Sequence, residues 1–148
     1  MRDGNSVLRL LHYPPVSPDA PGIRAEAHED INLITLLLGA EEAGLEILRP
    51  DGGWLAVDVP PGAMAVNVGD MLQRLTNDYL PSTTHRVVNP PPERGGKSRY
   101  SMPFFHHLAS DFEIRSLPQC VTPARPDRYQ PISADDYLQE RLREIGLL

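Results

Sequence analysis

The hydrophobic pattern along this chain is strand and turn almost throughout. Val7–Tyr13 reads as a strand that stops at Pro14-Pro15, and a polar, proline-rich loop, Val16–Arg24, follows as the first segment expected to be mobile. Ala27–Leu38 joins His28-Glu29-Asp30 to the apolar run Leu33–Leu38, the pattern of a strand, a tight bend and a buried strand. Leu45–Leu48 and Trp54–Val57 flank Arg49-Pro50-Asp51-Gly52-Gly53, turn residues between two strands and hence a hairpin. Pro60-Pro61-Gly62 sets another turn before the strand Ala63–Val68. Asp70 is placed to cap a short helix, Met71–Thr76, with Gly69 easing its entry. Thr83–Val88 reads as a strand halted by Asn89-Pro90-Pro91-Pro92, Glu93–Ser98 as a loop, and Arg99–His106 as an alternating strand.

The last third changes character. Leu117–Pro131 carries four prolines and little periodicity, which predicts a segment wrapped over the surface. Ser133 with Asp136 makes a variant of the N-terminal capping box, and Tyr137, Leu138, Leu142 and Ile145 recur at helical spacing, so Ala134–Ile145 is expected to be an amphipathic helix packed on the body. Many short strands with turn signals between them predict a mainly β sandwich or jelly roll with two helices.

Composition sharpens this picture in three places. Sixteen prolines and eleven glycines favour short strands over long helices, and 148 residues suffice for one domain with one core. A net charge of −6 argues against nucleic acid or an anionic membrane as partner, both of which reward clustered Lys and Arg. One cysteine, Cys120, leaves no disulfide within the chain and no cysteine cluster for zinc. The polar start Met1–Ser6 lacks the pattern of a signal peptide, and Leu33–Leu38 is far shorter than the ~18–20 apolar residues of a membrane span. A soluble, cytoplasmic protein is the expectation.

Candidate chemistry begins at His28 and Asp30. On an extended segment residues i and i+2 face the same side, so an imidazole and a carboxylate can converge on one ion. That pattern alone is weak, but His85 interrupts an otherwise small or apolar strand. Two histidines and one carboxylate form the facial set that leaves three iron positions open. Arg99 and Ser101 repeat the i, i+2 geometry: a guanidinium fork and a hydroxyl on one face suit a single carboxylate, although taken alone a surface salt bridge with a neighbouring acid is the more usual explanation of such an arginine.

Taken together these segments resemble the C-terminal catalytic domain of the isopenicillin N synthase-like 2-oxoglutarate/Fe(II) dioxygenases. The resemblance spans residues 7–115 and rests on His28-Glu29-Asp30, the Leu33–Leu38 run, Gly44-Leu45-Glu46-Ile47 with Trp54, Asn67-Val68-Gly69-Asp70 and the residues to Asn77, Ser82–Pro90, and Arg99-Tyr100-Ser101. It implies a double-stranded β-helix, a jelly roll, with residues 116–148 as a C-terminal wrap and helix in one domain over 1–148. It implies that His28, Asp30 and His85 hold iron(II), and that Arg99 and Ser101 bind the distal carboxylate of 2-oxoglutarate. Tyr13 matches the tyrosine of the family's Asn-x-Tyr element, although Leu11 stands where the asparagine is usual. The implied activity is O2-dependent oxidation of a C–H bond in a small-molecule substrate, with release of succinate and CO2. Asn67 and Asp70 are expected to fix the turn beside the pocket. Phe104 and Leu36 are candidates for an apolar wall, with core packing as their first expectation.

Other polar residues take no role from the sequence. His106 and His107 are adjacent and face opposite ways on a strand, so they cannot easily share an ion. His12 points away from Tyr13, Trp54 is expected to anchor the hairpin, and Cys120 to be a neutral, half-buried thiol. The resemblance also implies an N-terminal region of helices backing the jelly roll; the sequence starts just before the Tyr13 strand, so that region is expected to be absent. An exposed apolar sheet face, with homo-oligomerisation or a missing partner region to cover it, is expected in consequence. Two further readings stay open: a metal-binding but catalytically crippled module, and an oxidase of the isopenicillin N synthase type that dispenses with 2-oxoglutarate.

Overall fold

A computed structural model describes residues 4–17, 21–38, 44–91, 93 and 96–148. The expected loops Val16–Arg24 and Glu93–Ser98 therefore fall partly outside the described residues. Among the described residues twelve short strands follow in chain order: β1 Val7–Leu8, β2 Leu11–Tyr13, β3 Ala25–His28, β4 Ile34–Leu38, β5 Leu45–Leu48, β6 Trp54–Ala56, β7 Met64–Val68, β8 His85–Val87, β9 Arg99–Ser101, β10 Pro103–His106, β11 Glu113–Ile114 and β12 Ile132–Ser133. Two α-helices, α1 Asp70–Leu75 and α2 Ala134–Glu144, accompany them. All paired strands are antiparallel, in two four-stranded sheets ordered β1-β10-β4-β7 and β3-β8-β5-β6, with the pairs β2-β9 and β11-β12 beside them. This is the jelly-roll arrangement predicted from the pattern.

Two stretches read as single strands are each divided. Val7–Tyr13 becomes β1 and β2, and Arg99–His106 becomes β9 and β10, so that β1 pairs with β10 while β2 pairs with β9. The break on both partners lets one long hairpin-like ribbon bend from one sheet toward the other. The hairpin β5–β6 forms as expected, closed by the Arg49 N–H donating to Gly53 O at 2.8 Å. Its tip is held by the Arg86 guanidinium, which sits 4.0 Å over the Trp54 ring and pairs with Glu46.

The hydrophobic core lies to one end and not between the sheets. Met71, Leu108, Ile114 and Ala134 are buried together, with Ile31, Leu33, Tyr137 and Leu138 packed around them. Both helices meet there. Ser133 caps α2 by accepting from the Asp136 N–H at 3.0 Å, as its capping-box pattern requires. The wrap between β11 and β12 is secured by Asn77, which is fully buried in the left-handed region at φ 51°. Its amide donates to Pro126 O, and its Oδ1 accepts from the Arg128 N–H, both at 3.1 Å. Cys120 is a free thiol in a 3-10 turn over Pro118–Cys120, buried where half-burial was expected.

Helix α1 departs from expectation at its first residue. Asp70 does not cap it; Gly69 occupies that position without a side-chain cap, and Asp70 is the first helical residue. The Asp70 carboxylate is 4% exposed and lies 3.3 Å from Arg141 of α2. Burial raises its pKa, against the opposing effects of a Ser82 hydrogen bond and the Arg141 charge. Asp70 thus tethers the two helices, and its main-chain N–H also holds the segment that carries Asp30.

Candidate functional site

Strand register brings the two site histidines together. His28 and His85 are directly opposed on β3 and β8, with ring centroids 4.4 Å apart. Asp30 lies two residues beyond the end of β3, in the bend leading to β4, so it reaches His28 by the chain turning and not along one strand. That bend is pinned from behind by the start of α1: the Asp70 N–H donates to Asp30 O at 2.8 Å, the Met71 N–H to Asn32 O at 3.1 Å, and the Gly69 N–H to Leu33 O at 3.0 Å. The approach is close enough to require glycine, since a Cβ on Gly69 would collide with the carbonyl and side-chain oxygens of Asn32.

Each polar atom of the three residues has a defined task. Nδ1 of His28 faces Glu26 O at 2.6 Å and Nδ1 of His85 faces Thr83 O at 3.0 Å. A carbonyl can only accept, so both Nδ1 atoms carry the proton and both Nε2 lone pairs are left for an ion. Asp30 divides its oxygens in the same way. Oδ2 accepts from the Thr35 hydroxyl at 2.5 Å and the Asn67 amide at 2.8 Å, while Oδ1 faces His28 Nε2 at 4.0 Å and His85 Nε2 at 3.8 Å. The three candidate ligand atoms lie within 4.8 Å of one another, and they form the one group among the described residues arranged so that it could hold a metal ion. The aspartate is 7% exposed at its side chain and the histidines 13% (His85) and 46% (His28), so the cluster has a buried side and an open side. Two imidazoles, one carboxylate and no thiolate suit a divalent first-row metal with room for further ligands.

The cluster opens into a cavity of about 600 Å³ between the two sheets. Tyr13, Arg99 and Ser101 line the same cavity. Tyr13 and Arg99 are cross-strand partners on β2 and β9, with the guanidinium 5.2 Å from the ring centre. Arg99 and Ser101 are buried while Tyr100 between them is exposed, which is the shared inward face that their spacing predicts. Burial lowers the Arg99 pKa from the usual arginine value, and the neighbouring Tyr13 works against that shift.

Several expectations are corrected by register. Leu36 and Phe104 are cross-strand partners and face away from the cavity; its apolar lining includes instead their neighbours Leu37 and Phe105, with Leu11, Ile47 and Val57. Asn67 does more than fix a turn: it sits on β7 and orients Asp30 across β4. Thr35, Asn32 (whose amide donates to the Thr35 hydroxyl at 2.8 Å) and Arg9 belong to the site or its support and carried no isolated signal. Alternation within β4 and through Val7–Tyr13 is the pattern that reveals Thr35 and Arg9. His106 bonds Ser6, and His12 stacks on Tyr100 outside the cavity, so neither joins the cluster.

Residues 4–108 match the 2OG-Fe(II) oxygenase superfamily. Among curated proteins, a 2-oxoglutarate-Fe(II) type oxidoreductase, hxnY of Emericella nidulans, is 39% identical over 140 residues, covering 92% of this chain and 39% of that protein. A 2OG-Fe(II) oxygenase family protein from Caulobacter crescentus superimposes with a TM-score of 0.91 at 66% identity, covering 97% of this chain and 47% of the other. A full-length Neurospora crassa protein, solved in complex with alpha-KG and thymine, gives a TM-score of 0.88 at 33% identity, covering 96% of this chain and 45% of the other. The chain thus spans about two fifths of the length of the curated relative and just under half of the two solved chains.

Proposed function

The chain belongs to the 2OG-Fe(II) oxygenase superfamily, and from that premise we propose that it oxidises a C–H bond of a small organic substrate, consuming 2-oxoglutarate and O2 and releasing succinate and CO2. The observation that carries this reading is the convergence of two imidazole Nε2 atoms and one carboxylate oxygen on a cavity that also presents Arg99 and Ser101. His28, Asp30 and His85 are the proposed iron(II) ligands. When bound, iron(II) supplies activation of O2, driven by oxidative decarboxylation of the keto acid.

The chain's own residues bind, orient and exclude water. Thr35 and Asn67 hold Asp30 so that only Oδ1 is offered to the metal, which fixes the ligand's direction before an ion arrives. The carbonyls of Glu26 and Thr83 set both histidines to coordinate through Nε2. Arg99 and Ser101 grip the distal carboxylate of 2-oxoglutarate, where a charge-assisted fork in a buried setting gives strength and direction together. Tyr13 packs against Arg99 from the facing strand. Leu11, Leu37, Ile47, Val57 and Phe105 present hydrocarbon to the cavity and limit access of bulk water.

Succinate release tests the reading. With iron(II) and 2-oxoglutarate in air, the wild-type chain is expected to form succinate even without a prime substrate, through slow uncoupled turnover. His85→Ala is expected to abolish it and Arg99→Ala to raise the 2-oxoglutarate requirement at least about tenfold, for the loss of a charge-assisted pair. Oxygen consumption without succinate would instead favour an oxidase that does not use the keto acid, and metal binding with neither would mark a crippled module.

A further inference from the structure

We propose that Arg141, on the C-terminal helix α2, is a positioning residue for the metal cluster: its cation holds the buried Asp70 carboxylate, and Asp70 in turn holds the segment that carries Asp30. This rests on the reading above, because it concerns the metal site of that reading. Helix α1 is where two of the ligand segments meet. At its start, the Asp70 N–H donates to Asp30 O at 2.8 Å. Further along, Gln73 Oε1 accepts from the Ser82 N–H at 2.6 Å, and Ser82 stands three residues before His85. The position of α1 therefore sets where Asp30 and the approach to His85 stand relative to one another.

A short helix with a buried acid at its first position needs something to keep it in place. Asp70 is 4% exposed, and a buried carboxylate is costly unless a cation meets it. Among the described residues the ion-pair partner of Asp70 is Arg141, with Nε 3.3 Å from Oδ2. Like charge presses on Asp70 from the bend it supports, where Glu29 and Asp30 both repel it. Arg141 opposes that repulsion, since it attracts both Asp70 and Glu29. Its own place is fixed by α2, whose Tyr137 and Leu138 pack on the core, and by a second ion pair with Glu144. Without Arg141, the Asp70 carboxylate faces Glu29 and Asp30 with that cation gone, and turning toward water relieves it. Its N–H moves with it, so the hydrogen bond to Asp30 O is lost first. The C-terminal helix thus reaches the metal site through one side chain, without touching a ligand.

Manganese(II) affinity of the full chain, followed by counting free ion with electron paramagnetic resonance, tests this. Arg141→Met is expected to weaken manganese(II) binding at least about tenfold, the low end of the cost of losing a residue that orients a ligand. Arg141→Lys keeps a cation beside the carboxylate and is expected to keep most of the affinity. Adding Asp70→Asn to Arg141→Met is expected to recover most of what was lost, because no bare buried charge remains. Ser133→Ala removes the cap of α2 and touches neither partner, so it is expected to lower the melting temperature and leave manganese(II) affinity unchanged. Where Arg141→Met does not fold, Arg141→Gln takes its place with the same expected loss and the same recovery by Asp70→Asn. Full metal affinity without the arginine, or a loss that Asp70→Asn does not recover and that merely follows melting temperature across the variants, would overturn the inference while leaving the metal assignment intact. Failure of the wild-type chain to bind manganese(II) would overturn the underlying reading, and this one with it.

Discussion

Asp30 gives one oxygen to the protein and turns the other toward the two histidines, as the proposed metal ligand should. Thr35 and Asn67 both donate to Oδ2, and their removal frees the carboxylate to rotate and to turn its second oxygen toward the cluster. Asn67→Ala is accordingly expected to weaken iron(II) or manganese(II) binding about 10–100-fold, the usual cost of losing a residue that orients a ligand. Calorimetric titration measures this directly, and unchanged affinity would remove Asn67 from the site. The three residues that cluster were legible in the sequence as candidates because two positions separate His28 from Asp30 and His85 stands out in an apolar strand. Thr35 and Asn67 were not, because the Asn67 contact spans 37 residues and depends on which strand lies beside which. Arg9 was hidden for the opposite reason. Its stretch read as one hydrophobic strand, so the inward arginine was absorbed into a structural element instead of being weighed as a side chain.

At the scale of elements, the start of α1 and the bend after β3 form one unit. Three main-chain hydrogen bonds from Gly69, Asp70 and Met71 hold the segment that carries Asp30, and Gly69 permits them by letting the two backbones touch. A methyl group at Gly69 has backbone and the Asn32 side chain in its way, neither able to give without moving Asp30. Gly69→Ala is therefore expected to cost about 1–3 kcal/mol of stability, as overpacking does, and to lower metal affinity as well. Thermal unfolding with and without metal separates the two effects; a destabilised variant with full metal affinity would show that the bend does not depend on this contact. The sequence placed this helix correctly but misread its first residue. Asp70 has the composition of a cap, whereas Arg141, about seventy positions away on α2, draws its carboxylate inward. Both capping at Ser133 and the β5–β6 hairpin were legible because each is decided within a few residues.

The molecule places its core at one end and its cavity between the sheets, and among the described residues nothing covers the outer face of the β1-β10-β4-β7 sheet. Leu8, Leu10, Met64, Val66 and Met102 on or beside that sheet are 45–74% exposed. Such a contiguous apolar face drives association in water. The chain is expected to self-associate in a concentration-dependent way in sedimentation velocity, and Val66→Glu with Leu10→Glu to shift it toward monomer; a wild-type monomer across the accessible concentration range would contradict this. The jelly roll itself was legible from many short strands and frequent turn residues. The split of Val7–Tyr13 and Arg99–His106 into two strands each was not, since both halves keep the same alternation and only the bend between sheets divides them.

The most direct test of the metal assignment is a visible absorption spectrum of the chain with iron(II) and 2-oxoglutarate in the absence of oxygen. An α-keto acid chelating an open iron(II) site gives a weak metal-to-ligand charge-transfer band. That band is expected in the wild type, lost in His85→Ala, and shifted to higher 2-oxoglutarate concentrations in Arg99→Ala. Iron bound without the band would contradict the co-substrate assignment, and no iron bound at all would contradict the assignment of His28, Asp30 and His85 as its ligands.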